Sequence, residues 1–195
     1  MSQQFVAWML FLLLPLAACS SKAPTFSGID LTGAELGREF TLKDGDGRVR
    51  TLADYHGKYV MIFFGYTQCP DVCPTALARA VAVRQKLGAD AERLQVIFVT
   101  VDPERDSATV LKAYTAAFDP SFVGLRGDDV QTRAVAKEFR VTYQKVPTGS
   151  SYSMDHTAMT YILDAKGRIR LGMRHSQTAD EYAADLRTLM KIDAQ

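Results

Sequence analysis

An apolar run, Tyr59-Val60-Met61-Ile62-Phe63-Phe64, passes straight into Gly65-Tyr66-Thr67-Gln68-Cys69-Pro70-Asp71-Val72-Cys73-Pro74, where a helical pattern begins. A near-continuous apolar run of this length suits a strand buried on both faces, as in a parallel sheet under helices. The strand must therefore sit at the centre of the domain and deliver two cysteines to the start of a helix. They are spaced C-x3-C. Apart from Cys19 they are the only cysteines in the chain. Two thiols at a strand-to-helix junction suggest thiol–disulfide exchange or soft-metal binding.

The rest of the chain can be ordered around that strand. Arg38 to Leu42 and Arg48 to Leu52 read as short strands, joined by the hairpin turn Asp44-Gly45-Asp46-Gly47. The central strand spans Lys58 to Phe64. Pro74 to Leu87 has apolar residues at Leu77, Ala80, Val81 and Leu87, a helical spacing that stops at Gly88. Leu94 to Val101 is a second buried strand, ended by Asp102-Pro103. Asp106 or Ser107 can cap a helix running to about Phe118. Val130 to Phe139 is a third helix. Thr160 to Leu163 and Arg168 to Met173 flank the turn Asp164-Ala165-Lys166-Gly167, and Thr178 to Lys191 closes the chain as a helix. Alternating strands and helices build parallel pairs in one sheet with helices on its faces. With a terminal antiparallel hairpin and cysteines after the first long strand, this order predicts an α/β domain of thioredoxin-like fold over 37–193. Its mixed central sheet is flanked by helices and carries an N-terminal hairpin.

The first residues belong to another class. Phe5 to Ala18 is apolar and contains Pro15. It is shorter than the roughly 20 residues of a spanning helix, but it suits the apolar region of a signal peptide. It ends Leu16-Ala17-Ala18-Cys19, which resembles the lipobox of bacterial lipoproteins. The resemblance implies a signal peptide over 1–18, a lipid on Cys19 and a tether over 19–36. Met1-Ser2-Gln3-Gln4 lacks the usual Lys or Arg of such leaders. The expected location is the bacterial cell envelope, with the domain lipid-anchored in the periplasm or otherwise outside the cytoplasmic membrane. Unpaired thiols tend to oxidise there. With a net charge of +1 and 23% charged residues, there is no basic excess to imply nucleic acid.

Cys69 and Cys73 lie four apart, a spacing that shares one face of a helix. The positive end of the helix dipole favours thiolate, the form that attacks disulfides and ligates metals. Thiolates are soft donors that suit copper(I), or zinc when two more ligands complete a tetrahedron. The chain has three histidines, His56, His156 and His175. Copper(I) accepts low coordination, so two sulfurs and one imidazole suffice. His156 sits just before the strand that opens the final hairpin, in a loop that the expected fold brings near the cysteines. Asp155 beside it is a candidate to orient the ring. His56 and His175 read as structural or solvated.

Three segments, Cys69-Pro70-Asp71-Val72-Cys73-Pro74, Val101-Asp102-Pro103-Glu104-Arg105-Asp106 and Asp155-His156-Thr157, resemble the hallmark segments of the Sco/SenC family. Phe40-Thr41-Leu42, Asp54-Tyr55, Gly57-Lys58 and Phe63-Phe64-Gly65-Tyr66-Thr67 are similar to it too. The resemblance implies a membrane-anchored copper metallochaperone rather than an enzyme. It implies copper, as Cu(I) or Cu(II), on Cys69, Cys73 and His156. It implies cytochrome c oxidase subunit II as the partner whose copper A site is filled or whose cysteines are reduced. A periplasmic copper donor or thiol–disulfide reductant would act upstream. Many relatives carry a transmembrane helix where this chain has the lipobox. The competing reading is a thiol–disulfide reductase or redox sensor cycling a Cys69–Cys73 disulfide. Against it stand the C-x3-C spacing and the absence of a proline directly before the final hairpin. Val72-Cys73-Pro74-Thr75 looks like a peroxiredoxin segment, but Pro70 stands where that family has a threonine. The Val101 to Asp106 segment reads locally as a strand stop and a helix cap.

Overall fold

The computed structural model describes residues 24–194. The expected signal peptide, 1–18, and the lipidation site Cys19 lie outside the described residues. The strands are β1 (Ile29–Asp30), β2 (Thr41–Asp44), β3 (Val49–Thr51), β4 (Tyr59–Gly65), β5 (Leu94–Thr100), β6 (Val123–Arg126), β7 (Tyr143–Thr148), β8 (Ser151–His156), β9 (Thr160–Leu163) and β10 (Ile169–Met173). The helices are α1 (Val72–Leu87), α2 (Ala108–Ala116), α3 (Asp129–Glu138) and α4 (Ala179–Ile192). No helix among the described residues is long and apolar enough to cross a membrane.

One sheet runs in the order β1-β10-β9-β4-β5-β6-β2-β3. Every residue of β4 is buried, and β4 pairs in parallel with β5 from Tyr59↔Leu94 to Gly65↔Thr100. β6 extends the parallel set beyond β5, while β9 and β2 join antiparallel on either side. α1 and α4 pack on each other, α2 on β6 and α3 on β2. This is the thioredoxin-like α/β architecture expected from the element order. The N-terminal hairpin β2–β3 forms an edge, and its first strand begins at Thr41 rather than Arg38.

The helix starts show how local chemistry sets the boundaries. Ser107, not Asp106, caps α2, its hydroxyl accepting from the Val110 N–H. Asp128 with Gln131 and Thr178 with Glu181 form capping boxes on α3 and α4. α1 has no oxygen cap. Its first turn includes Pro74, tolerated there because a first-turn N–H has no helical partner to lose.

Two parts depart from the sequence expectation. The tether over 19–36 is, in its second half, part of the domain. β1 pairs with β10, the Leu31 N–H donates to the Arg170 carbonyl, and Leu36 is buried. The buried Asp185 carboxylate accepts the N–H groups of Ser27 (3.0 Å) and Gly28 (2.8 Å). Second, β7 and β8 form a hairpin of their own, outside the main sheet. His156 is therefore the last residue of a strand, paired with Tyr143, and not part of a loop.

Candidate metal centre

The cysteine loop leaves β4 at Gly65 and enters α1 at Val72. The Cys69 N–H donates to the Tyr66 carbonyl at 3.3 Å, closing a tight turn. That turn aims the Cys69 sulfur at the start of α1, where it accepts the Cys73 N–H at 3.5 Å. The sulfur thus does for α1 what serine or aspartate does elsewhere. Cys73, one residue into the helix, points back under the loop and is fully buried. Both cysteines are free thiols, and Cys69 is half-buried.

The two thiols differ sharply in acidity. Burial raises Cys69, but the N–H groups of Asp71, Cys73 and Val72 and the Cys73 thiol outweigh it and hold it below the ordinary thiol value. Burial pushes the Cys73 thiol well up, and the neighbouring Cys69 adds to the rise. A thiolate therefore forms at Cys69 first.

The histidine comes from the other side. Along β8 successive side chains alternate, so Tyr152, Met154 and His156 share one face. That face turns to the cysteine loop, with Met154 buried and Asp155 exposed opposite. His156 Nε2 lies 3.7 Å from Cys73 Sγ. Its Nδ1–H donates to the Thr157 carbonyl at 3.1 Å, which leaves the Nε2 lone pair toward the sulfur. The rings of Phe63 and Tyr66 meet the imidazole edge-on, each at 6.0 Å between centroids. Burial depresses the His156 pKa, with the Thr157 carbonyl and Asp155 opposing, so the ring stays neutral and able to ligate. Asp155 is not the orienting partner expected from the sequence. Its carboxylate lies on the exposed face, and the Thr157 carbonyl holds the ring instead.

His56 is exposed in the turn before β4. His175 is half-buried after β10, and neither histidine belongs to this pair. No three His, Cys, Asp or Glu side chains among the described residues converge closely enough to hold an ion as they stand. The Cys69 sulfur accepts at the α1 start, and the Cys73 sulfur faces His156. The donor chemistry nevertheless fits a soft ion, with one acidic thiol, one buried thiol and one neutral imidazole beside a shallow cleft lined by Tyr66, Cys69, Pro70, Met154 and His156.

Residues 101–106 do more than stop a strand. Asp106 is buried, and its carboxylate accepts the Thr67 N–H at 3.1 Å, the Thr67 hydroxyl at 2.6 Å and the Thr100 hydroxyl at 2.6 Å. Asp102 accepts from Arg105 at 2.5 Å and from the Tyr152 hydroxyl at 2.9 Å. The sequence marked this segment through Asp102-Pro103 and Asp106, but its partners Thr67 and Tyr152 lie 39 and 50 positions away.

The SCO1/SenC family pattern matches residues 30–191. The SCO2-like protein of Rickettsia felis is 35% identical over 69% of this chain and 67% of its own length. The mitochondrial protein SCO2 homolog of Mus musculus is 35% identical over 76% of this chain, which spans 60% of the mouse protein. Among solved structures, Bradyrhizobium japonicum ScoI with copper bound superposes with a TM-score of 0.72 at 42% identity, over 79% of this chain and 99% of that one. Yeast Sco1 with copper bound gives a TM-score of 0.74 at 31% identity, over 80% and 89%. By the family match and these identities, over a fold already established strand by strand, the chain belongs to the SCO1/SenC family.

Proposed function

We propose that this protein is an extracytoplasmic copper metallochaperone that carries copper on Cys69, Cys73 and His156. The observation that carries the reading is the buried Cys73 sulfur set 3.7 Å from a neutral His156 Nε2, beside the more acidic Cys69. Relatives solved with copper bound, at 42% and 31% identity, support it. Copper is cargo, so the site must release it. A two-sulfur, one-nitrogen set leaves an open side for an incoming ligand. Loading displaces the Cys73 proton, because the thiolate is the ligating form. The recipient in this reading is the copper A site of cytochrome c oxidase subunit II, with a lipid on Cys19 holding the domain at the membrane outside the cytoplasm. The test is copper stoichiometry on the reduced protein and on Cys69→Ser and His156→Ala. One copper per chain, lost or greatly weakened in both variants, is expected. A parent that binds no copper(I) ends the proposal.

The asymmetry of the thiols favours a second reading, a thiol–disulfide reductase for target cysteines. The Cys69 thiolate would attack a target disulfide and form a mixed disulfide, releasing one target thiolate. Cys73, once deprotonated, would attack Cys69, forming Cys69–Cys73 and freeing the second target thiol. Multiple turnover on a disulfide substrate, with a thiol reductant to recycle the pair and no dependence on His156, would favour this reading.

A further inference from the structure

We propose that Arg105 is a positioning residue for the metal centre: the turn between β5 and α2 is a brace that holds the cysteine loop with one residue and the histidine hairpin with the next. The inference rests on the copper-carrier reading of Cys69, Cys73 and His156, and adds what sets their spacing.

The hairpin needs an anchor. A two-stranded hairpin outside a larger sheet is marginally stable in water. β7 is almost wholly exposed, and Met154 is the one fully buried residue of β8. What docks the hairpin therefore decides where His156 stands. Arg105 makes three kinds of contact with Tyr152, four residues before His156 on the same strand face. Its Nη1 donates to the Tyr152 carbonyl at 2.8 Å, and its guanidinium carbon lies 3.6 Å from the Tyr152 ring centroid. Its Nε pairs with Asp102, whose other oxygen accepts the Tyr152 hydroxyl. The same Nη1 reaches Gln68 Oε1 in the cysteine loop at 3.2 Å, and the guanidinium also lies 5.6 Å from the Tyr66 ring centroid. Nη2 is buried without a hydrogen-bond partner, so the cation is held through Nε, Nη1 and the stacked ring.

The next residue, Asp106, holds Thr67 of the cysteine loop. The turn itself is fixed from β6. Arg126 donates to the Pro103 carbonyl at 2.9 Å and to the Asp106 carbonyl at 3.1 Å. Two adjacent residues on one rigid turn thus grip the two halves of the site, and neither touches a proposed copper donor. Lys145 on β7 pairs with Glu104, but both are exposed, so that contact is worth little. The half-buried, stacked arginine is a contact able to set register.

The experiment uses the full chain in detergent, as the parent, Arg105→Ala and Tyr152→Leu. Amide hydrogen exchange on the metal-free reduced protein is expected to speed up about tenfold or more across 143–156 in both variants, while β4 and β5 keep parental protection. X-ray absorption of the Cu(I)-loaded variants is expected to lose the nitrogen scatterer and keep two sulfurs. Unchanged hairpin protection in both variants overturns the brace. So does a loosened hairpin that keeps the copper–nitrogen contact at full strength. A parent that takes up no copper ends the carrier reading, and the exchange data then still decide whether Arg105 holds the hairpin.

Discussion

Cys73 and His156 stand 83 positions apart in the chain, and Sγ and Nε2 meet at 3.7 Å. Cys69 is nearer Cys73 in sequence, yet its sulfur is turned to the Cys73 backbone N–H. The buried Cys73 thus meets His156 through its sulfur and Cys69 through both its backbone N–H and its thiol. Each cysteine is tuned by different neighbours, and this gives the reactivity a direction.

The two thiols should react with alkylating reagents in a fixed order. Cys69 is half-exposed and held below the ordinary thiol value by the α1 N–H groups, whereas burial holds Cys73 protonated. The thiolate is the reacting species. Iodoacetamide labelling followed by mass spectrometry should find Cys69 modified first. Its rate should rise at a pH below that of an ordinary thiol, with Cys73 slow throughout. Equal rates, or Cys73 ahead, would refute the assignment of the acidic thiol.

Acid should destabilise the metal-free reduced protein through His156. Burial lowers its folded pKa from 6.5, against the Thr157 carbonyl and Asp155. Below pH 6.5 the unfolded chain therefore takes up a proton that the folded ring refuses. The contribution of His156 is complete above 6.5 and is lost as pH falls through the lower folded value. Urea midpoints measured stepwise below pH 6.5 should fall less steeply in His156→Gln than in the parent. Parallel curves would mean that the ring titrates alike in both states.

The central strand, the helix after it and the C-x3-C pair were legible because burial on both faces leaves an apolar run and the helix start leaves a Pro at Pro74. The β7–β8 hairpin was not. Its residues alternate little, Pro147 argues against a strand, and β7 has solvent on most of its side chains. β6 was missed because it is short and contains Gly124, where a Cβ would come within 2.6 Å of Leu111. His156 is legible from its place just before the final hairpin, but the group that orients it is a main-chain carbonyl, which no side-chain pattern reveals. Nothing in its own segment singles out Arg105, since its partner Tyr152 lies 47 positions on.

Asp185 marks where the domain begins. Its buried carboxylate accepts the Ser27 and Gly28 N–H groups, and β1 follows at once. Asp185→Ala should leave those donors unpaired and cost roughly 1–3 kcal/mol. If the segment detaches alone, limited proteolysis should instead cut within 24–36 faster than in the parent. A variant with parental stability and parental protease resistance would return this segment to the status of a free tether.

Gly65 is the floor of the site. A Cβ there would lie 2.6 Å from the Cys73 sulfur and 3.0 Å from two ring carbons of Phe98, which is itself fully buried. Neither neighbour can yield without disturbing what surrounds it. Phe98 belongs to β5 in the middle of the sheet, and the Cys73 sulfur is enclosed between β4 and His156. Gly65→Ala should therefore act twice. Overpacking of this kind costs about 1–3 kcal/mol, visible as a lower urea midpoint. The methyl should also push the Cys73 sulfur, changing both its labelling rate and the copper affinity of the reduced protein, while the exposed Cys69 side of the loop keeps its reactivity. The added Cβ meets the sulfur itself, so a gain in exposure at Cys73 is the expected direction. A Gly65→Ala protein with parental stability and parental Cys73 reactivity would show that the loop yields freely, and that the close packing of strand and sulfur does not set the site.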